Sequence, residues 1–169
     1  MGPVGTPSQI SSDSGPIIDV LCVSGTADDH MDLQRILSGA GAATGKWTLH
    51  VCPTLAAAKD LLDRQPVAIA VCDAVAPDGV WIDLLENLII LPDPPPLIVT
   101  SRLADEQLWA TALNLGAYDV LPKPYWGTEV VRSLGSAFRH SQSRTRAAEK
   151  RASSSTAASS PLAGSGAIA

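Results

Sequence analysis

Short apolar runs alternate with helical patterns through the middle of the chain. Ile17–Val23 is an apolar run with one polar interruption and reads as a strand. After it, Asp28 or Asp29 can cap a helix that sets Leu33, Ile36, Leu37 and Ala40 on one face. Gly39, Gly41 and Gly45 then break the chain. Trp47–Cys52 forms a second strand, and Thr54 caps a helix that runs through Leu61 and Leu62 until Pro66 stops it. Val67–Cys72 (VAIAVC) is apolar without interruption, as a strand buried on both faces of a parallel sheet must be. The loop APDG leads to a helix carrying Trp81, Leu84, Leu85 and Leu88, which ends at Pro92–Pro96. Leu97–Thr100 is a fourth strand, and Ala104–Leu115 is a helix closed by Gly116. Tyr118–Leu121 is a fifth strand. Thr128 caps a last helix carrying Val130, Val131, Leu134, Ala137 and Phe138.

Five strands and five helices in strict alternation predict an α/β fold: a doubly wound, flavodoxin-like (βα)5 sandwich around a five-stranded parallel sheet. Such sheets build their sites beyond the carboxyl ends of the strands. The positions to inspect are therefore Ser24–Asp29, Asp73, Thr100–Ser101 and Lys123.

Composition sets the limits of the folded unit. Hydrophobic residues make up 46% of the 169, enough for a core. Residues 1–15 are rich in Gly, Pro and Ser, and residues 143–169 are small and polar. Both are expected to be disordered, flanking a folded unit at 16–142. No apolar run spans a bilayer, and the N-terminus has no signal-peptide pattern, so the expected location is the cytoplasm. Cys22, Cys52 and Cys72 each sit inside an apolar run without metal-type spacing and read as buried thiols. Charge is uneven: residues 1–140 carry net −8 and residues 141–169 net +3. An acidic body does not suit nucleic acid. His30, His50 and His140 have no partner at metal-ligand spacing. Trp81 and Trp109 fall at core-facing helical spacing, whereas Trp126 follows Pro124–Tyr125 and is a candidate exposed aromatic.

Asp73 ends the most buried strand, where an unpaired carboxylate is costly unless a cation compensates. Lys123 ends the fifth strand and can supply that cation; Thr100 ends the fourth and offers a hydroxyl. A carboxylate that attacks, beside donors that steady phosphoryl oxygens, suits receipt of a phosphoryl group. The alternative is a salt bridge between Asp73 and Lys123 that does no chemistry.

VAIAVCDAVAPDG, PPPLIVTS and LNLGAYDVLPKPY, in that order, resemble the third strand and its loop, the fourth strand, and the fifth strand with its Lys-Pro pair in response-regulator receiver (CheY-like) domains. The resemblance covers roughly residues 17–140 and implies strand order 2-1-3-4-5. It implies that Asp73 accepts a phosphoryl group from a histidine kinase or phosphotransfer protein, that Thr100 and Lys123 stabilise it and act in switching, and that Lys123–Pro124 is a cis peptide. It also implies Mg²⁺ as cofactor, bound by Asp73 and an acidic pair.

The sequence departs from that pattern at the acidic pair, where Ser24 and Gly25 stand in VLCVSGTADDH. Asp28 and Asp29, about four residues later, are the nearest substitute metal ligands; otherwise they serve the N-terminus of the first helix. The position three before the lysine, usually aromatic, is Val120, and the loop GAGAATGKW is long. Two functions follow as expectations. One is a stand-alone receiver in phosphorelay signalling, not an enzyme, with an output partner or a homodimer carrying the signal onward. The other is a pseudo-receiver, an interaction module independent of phosphorylation. A flavin or nucleotide enzyme is disfavoured, because SGTADD lacks the backbone donors of a phosphate-binding loop.

Overall fold

The computed structural model describes residues 15–40 and 45–157. The long strands are β1 (Ile17–Val23), β2 (Lys46–Cys52), β3 (Ile69–Asp73), β6 (Leu97–Ser101) and β7 (Asp119–Pro122). They form one parallel sheet in the order β2-β1-β3-β6-β7. This is the 2-1-3-4-5 topology expected from the sequence. The APDG segment departs from a plain loop: β4 (Val75–Ala76) and β5 (Gly79–Val80) pair as a small antiparallel hairpin.

The helices are α1 (Ala27–Gly39), α2 (Leu55–Leu62), α3 (Trp81–Ile89), α4 (Glu106–Leu115) and α5 (Gly127–Ala157). Strand alternation divides the core in two. Leu21, Val23, Cys72 and Val99 face α2, α3 and α4, where Ala58, Trp81, Leu84, Leu88 and Ala112 are buried. Ile18, Val20, Cys22, Ile69, Val71, Ile98 and Leu121 face the other way, onto Leu33 and Leu37 of α1 and Val130, Leu134 and Ala137 of α5.

Local chemistry explains several helix ends. The Thr54 side chain accepts from the Ala57 N–H at 3.1 Å, and Asp105 accepts from Leu108 N–H at 2.8 Å. Gly116 closes α4 with φ 109°, a left-handed conformation that favours glycine. Asp78 reaches across from the hairpin, accepting the N–H groups of Leu55 and Ala56 at 2.8 and 3.0 Å. These two bonds hold its carboxyl below the usual range. They also tie the segment after β3 to the N-terminus of α2.

Several expectations change. The cap position of α1 is Thr26, so Asp28 and Asp29 lie within the first turn rather than at the cap. Thr128 is likewise inside α5, which already begins at Gly127. That helix continues through Ala157, beyond the boundary of the folded unit expected at 142. SRTRAAEKRA is rich in strong helix formers, and the Thr145 hydroxyl donates to Asp93 Oδ2 at 2.9 Å. Trp109 is 36% exposed rather than a core residue, because the inward side of α4 is held by Ala112 and, in part, Leu108. Expectations about residues 1–14, 158–169 and residues 41–44 of the GAGAATGKW loop fall outside the described residues.

Candidate functional site

Strand parity brings the chemistry to one corner. Cys22, Val71, Ile98 and Leu121 all point to the α1/α5 face. Two residues further along each strand, alternation places Ser24, Asp73, Thr100 and Lys123 on that same side, at the carboxyl edge of the sheet. Register adds to this, since Asp73 pairs directly with Thr100.

The Lys123 ammonium is the centre of the cluster. It donates to Asp73 Oδ1 at 2.5 Å and to Asp29 Oδ2 at 2.7 Å, and its side chain is only 4% exposed. Thr100 Oγ1 donates to the same Asp73 Oδ1 at 2.7 Å. Arg102 approaches Asp29 from the solvent side, with Nη2 3.3 Å from Oδ1. Both oxygens of Asp29 are thus engaged by cations. Of the two Asp73 oxygens, Oδ1 is engaged twice, while Oδ2 has no hydrogen bond among the described residues. A cavity of about 210 Å³ borders Asp73, Thr100, Lys123, Asp29 and Arg102.

The Lys123–Pro124 peptide is cis. Two residues past the lysine, the Tyr125 ring lies 5.8 Å from the ammonium. Burial pushes the Tyr125 hydroxyl well above its ordinary range, and the neighbouring Thr100 side chain acts the other way. Beneath the site, burial and then the Asp73 charge push the Cys22 thiol up to about 12. The Cys72 thiol is raised chiefly by burial. All three cysteines are buried and free, as their apolar surroundings in the sequence imply.

Asp73, Thr100, Lys123 and Asp29 are therefore brought together. Asp28 is exposed and belongs to no ion pair in this cluster. Arg102 was not anticipated; its signal was its place two residues beyond Thr100, on the loop leaving β6. Ser24 is buried and its hydroxyl accepts from the Thr26 N–H at 3.3 Å, so it serves the local turn.

Magnesium asks for near-octahedral oxygen ligands, commonly one or two carboxylates with several waters. Here Lys123 lies between the two carboxylates, and Asp73 Oδ2 is the one carboxylate oxygen of that pair left unengaged. No group of three or more His, Cys, Asp or Glu residues able to hold a metal occurs among the described residues. The residues present do not fit the ion as they stand.

No protein-family model matches the sequence, and no curated protein does either. Solved structures do. The signal receiver domain of an HD domain-containing protein from Pseudomonas fluorescens Pf-5 is 26% identical over 76% of this chain and 92% of its own, with TM-score 0.67. The receiver domain of a signal transduction histidine kinase from Syntrophus aciditrophicus is 19% identical, covering 75% and 92%, with TM-score 0.61. Chemotaxis response regulator CheY4 of Vibrio cholerae is 12% identical, covering 72% and 99%, with TM-score 0.63. The chain is an open parallel α/β sheet with an acidic-cationic cluster at its carboxyl edge. Its fold is that of response-regulator receiver domains of the CheY-like kind. No helix among the described residues is long and apolar enough to cross a membrane.

Proposed function

We propose that this chain is a receiver module of two-component phosphorelay signalling that takes a phosphoryl group on Asp73. The observation that carries the reading is the unengaged Oδ2 of Asp73 at a cavity whose other wall supplies the Thr100 hydroxyl and the Lys123 ammonium. Oδ2 is the nucleophile. It forms an O–P bond as the P–N bond of a donor phosphohistidine breaks; the donor ring carries a proton on its other nitrogen, so the electron pair leaves with an imidazole that ends neutral. Lys123 and Thr100, which donate to the neighbouring Oδ1, are the groups that would steady the charge of the transferred oxygens. The partners are a histidine kinase or phosphotransfer protein upstream and a protein contact downstream. Incubation of the full chain with acetyl phosphate or phosphoramidate, with and without Mg²⁺, tests this by intact mass. One added phosphate that disappears in Asp73→Asn supports it; no adduct under either condition overturns it.

A second reading, a pseudo-receiver that works as a phosphorylation-independent interaction module, is favoured by one observation. Both Asp29 oxygens are held by cations, and Ser24 supplies no carboxylate. Stoichiometric phosphorylation of Asp73 in the same experiment eliminates it.

A further inference from the structure

We propose that the Lys123 ammonium, clamped between Asp29 and Asp73, occupies the place of a divalent cation, so that this site carries its positive charge in its own side chains and takes no Mg²⁺. The proposal deepens the phosphoacceptor reading of Asp73 and concerns the electrostatics of that same site.

Three observations on separate elements support it. Lys123, from the end of β7, is almost fully buried and bonded to both carboxylates at 2.5 and 2.7 Å. Any cation bridging Asp29 and Asp73 would have to displace the ammonium or sit against it, at like-charge repulsion. Arg102, from the loop after β6, takes the remaining oxygen of Asp29. Ser24, at the end of β1, is a neutral side chain turned to its own backbone. The two carboxylates are thus matched by two cations, Lys123 inside and Arg102 at the rim. A divalent ion entering that cluster would leave it with net positive charge and would gain one unengaged carboxylate oxygen.

Asp29 then has a defined task as a positioning residue. It holds the ammonium from the side away from Asp73 and offers Arg102 a seat at the mouth of the cavity. Both cations are in place before any anion arrives.

The test is a titration of the full chain with MnCl2 and MgCl2, without phosphodonor, read by water-proton relaxation for Mn²⁺ and by calorimetry for both ions. Wild-type protein is expected to show no saturable site at millimolar metal. Lys123→Met, which removes the charge and keeps much of the volume, is expected to gain one Mn²⁺ site, lost again in Lys123→Met/Asp29→Asn. A saturable wild-type site that is lost in Asp29→Asn or Asp73→Asn overturns the proposal. So does a folded Lys123→Met variant that binds no metal. Should Lys123→Met fail to fold, the wild-type titration alone decides. Because no phosphodonor is present, this result can go against the proposal while Asp73 still proves phosphorylatable, and the reverse.

Discussion

Asp29, in the first turn of α1, receives a 2.7 Å hydrogen bond from the Lys123 ammonium ninety-four residues later in the chain. The bond crosses from a helix packed on one face of the sheet to the end of an edge strand. It joins the two halves of the site through one buried charge. Breaking a buried ion pair by removing one partner typically costs about 3–5 kcal/mol, because the other charge is left uncompensated.

Lys123 and Asp29 are therefore not equivalent. Lys123→Ala leaves Asp73 without a cation and Asp29 with Arg102 alone, and is expected to cost about 3–5 kcal/mol in urea unfolding. Asp29→Ala leaves Lys123 paired with Asp73 and is expected to cost clearly less. Equal losses would mean that the two arms of Lys123 do not share the charge as the geometry indicates.

Thr100→Val keeps the shape of the side chain and removes the hydroxyl that donates to Asp73 Oδ1 at 2.7 Å. A hydrogen bond to a charged group contributes about 1.5–3 kcal/mol, so a loss of that size is expected in denaturant unfolding. Phosphorylation from a small donor should slow in the same variant. An unchanged rate would separate Thr100 from the transfer step.

The Asp78 carboxylate caps α2 from the hairpin. Its folded pKa is depressed below the ordinary 3.8, so its contribution is present above that value and is lost as pH falls through the folded value. Asp78→Ala is expected to lower Tm at neutral pH and to flatten the fall of Tm on acidification. Parallel Tm curves for the two proteins would contradict it.

The Cys22 thiol has the opposite sign. Its folded pKa is raised from 9.0 to about 12, so the stability it contributes is complete below 9.0 and is lost as pH rises toward 12. Wild-type Tm should fall above pH 9.0, and more steeply than in Cys22→Ala. Native thiols should resist a thiol reagent near neutral pH and react after unfolding, since a buried thiol is both neutral and inaccessible.

Gly116 has φ 109°, and a Cβ built there meets nothing within 4 Å. Gly116→Ala therefore isolates the backbone penalty of a left-handed residue, expected at about 1–2 kcal/mol in thermal or urea unfolding. A neutral substitution would mean that the α4 terminus adjusts freely.

The alternation of β-type and helical periods, the uninterrupted VAIAVC run and the Pro and Gly breaks determined the layer order and the residues at the strand ends. These are local features, and hydrophobic period carries them directly. Asp73, Thr100 and Lys123 were legible because each follows a buried strand, and parity then obliges them to share a face. Other features depended on neighbours far along the chain. Trp109 has core spacing yet is partly exposed, because facing it inward would require space that Ala112 and Leu108 fill. Composition places the end of the folded unit at 142, although Arg144, Arg146, Lys150 and Arg151 suit a solvated helix end, and helix formers carry α5 on to Ala157. Asp29 is the clearest case. Sequence spacing sets it four residues too late for the acidic pair, and Asp28 beside it has the same chemistry. Helical period separates the two, since Asp29 stands four residues before Leu33 on the buried stripe of α1 and Asp28 does not. What only the tertiary structure decided is that packing this stripe on the sheet brings Asp29 to the Lys123 ammonium, because a contact across ninety-four residues depends on where the two elements dock and not on local spacing.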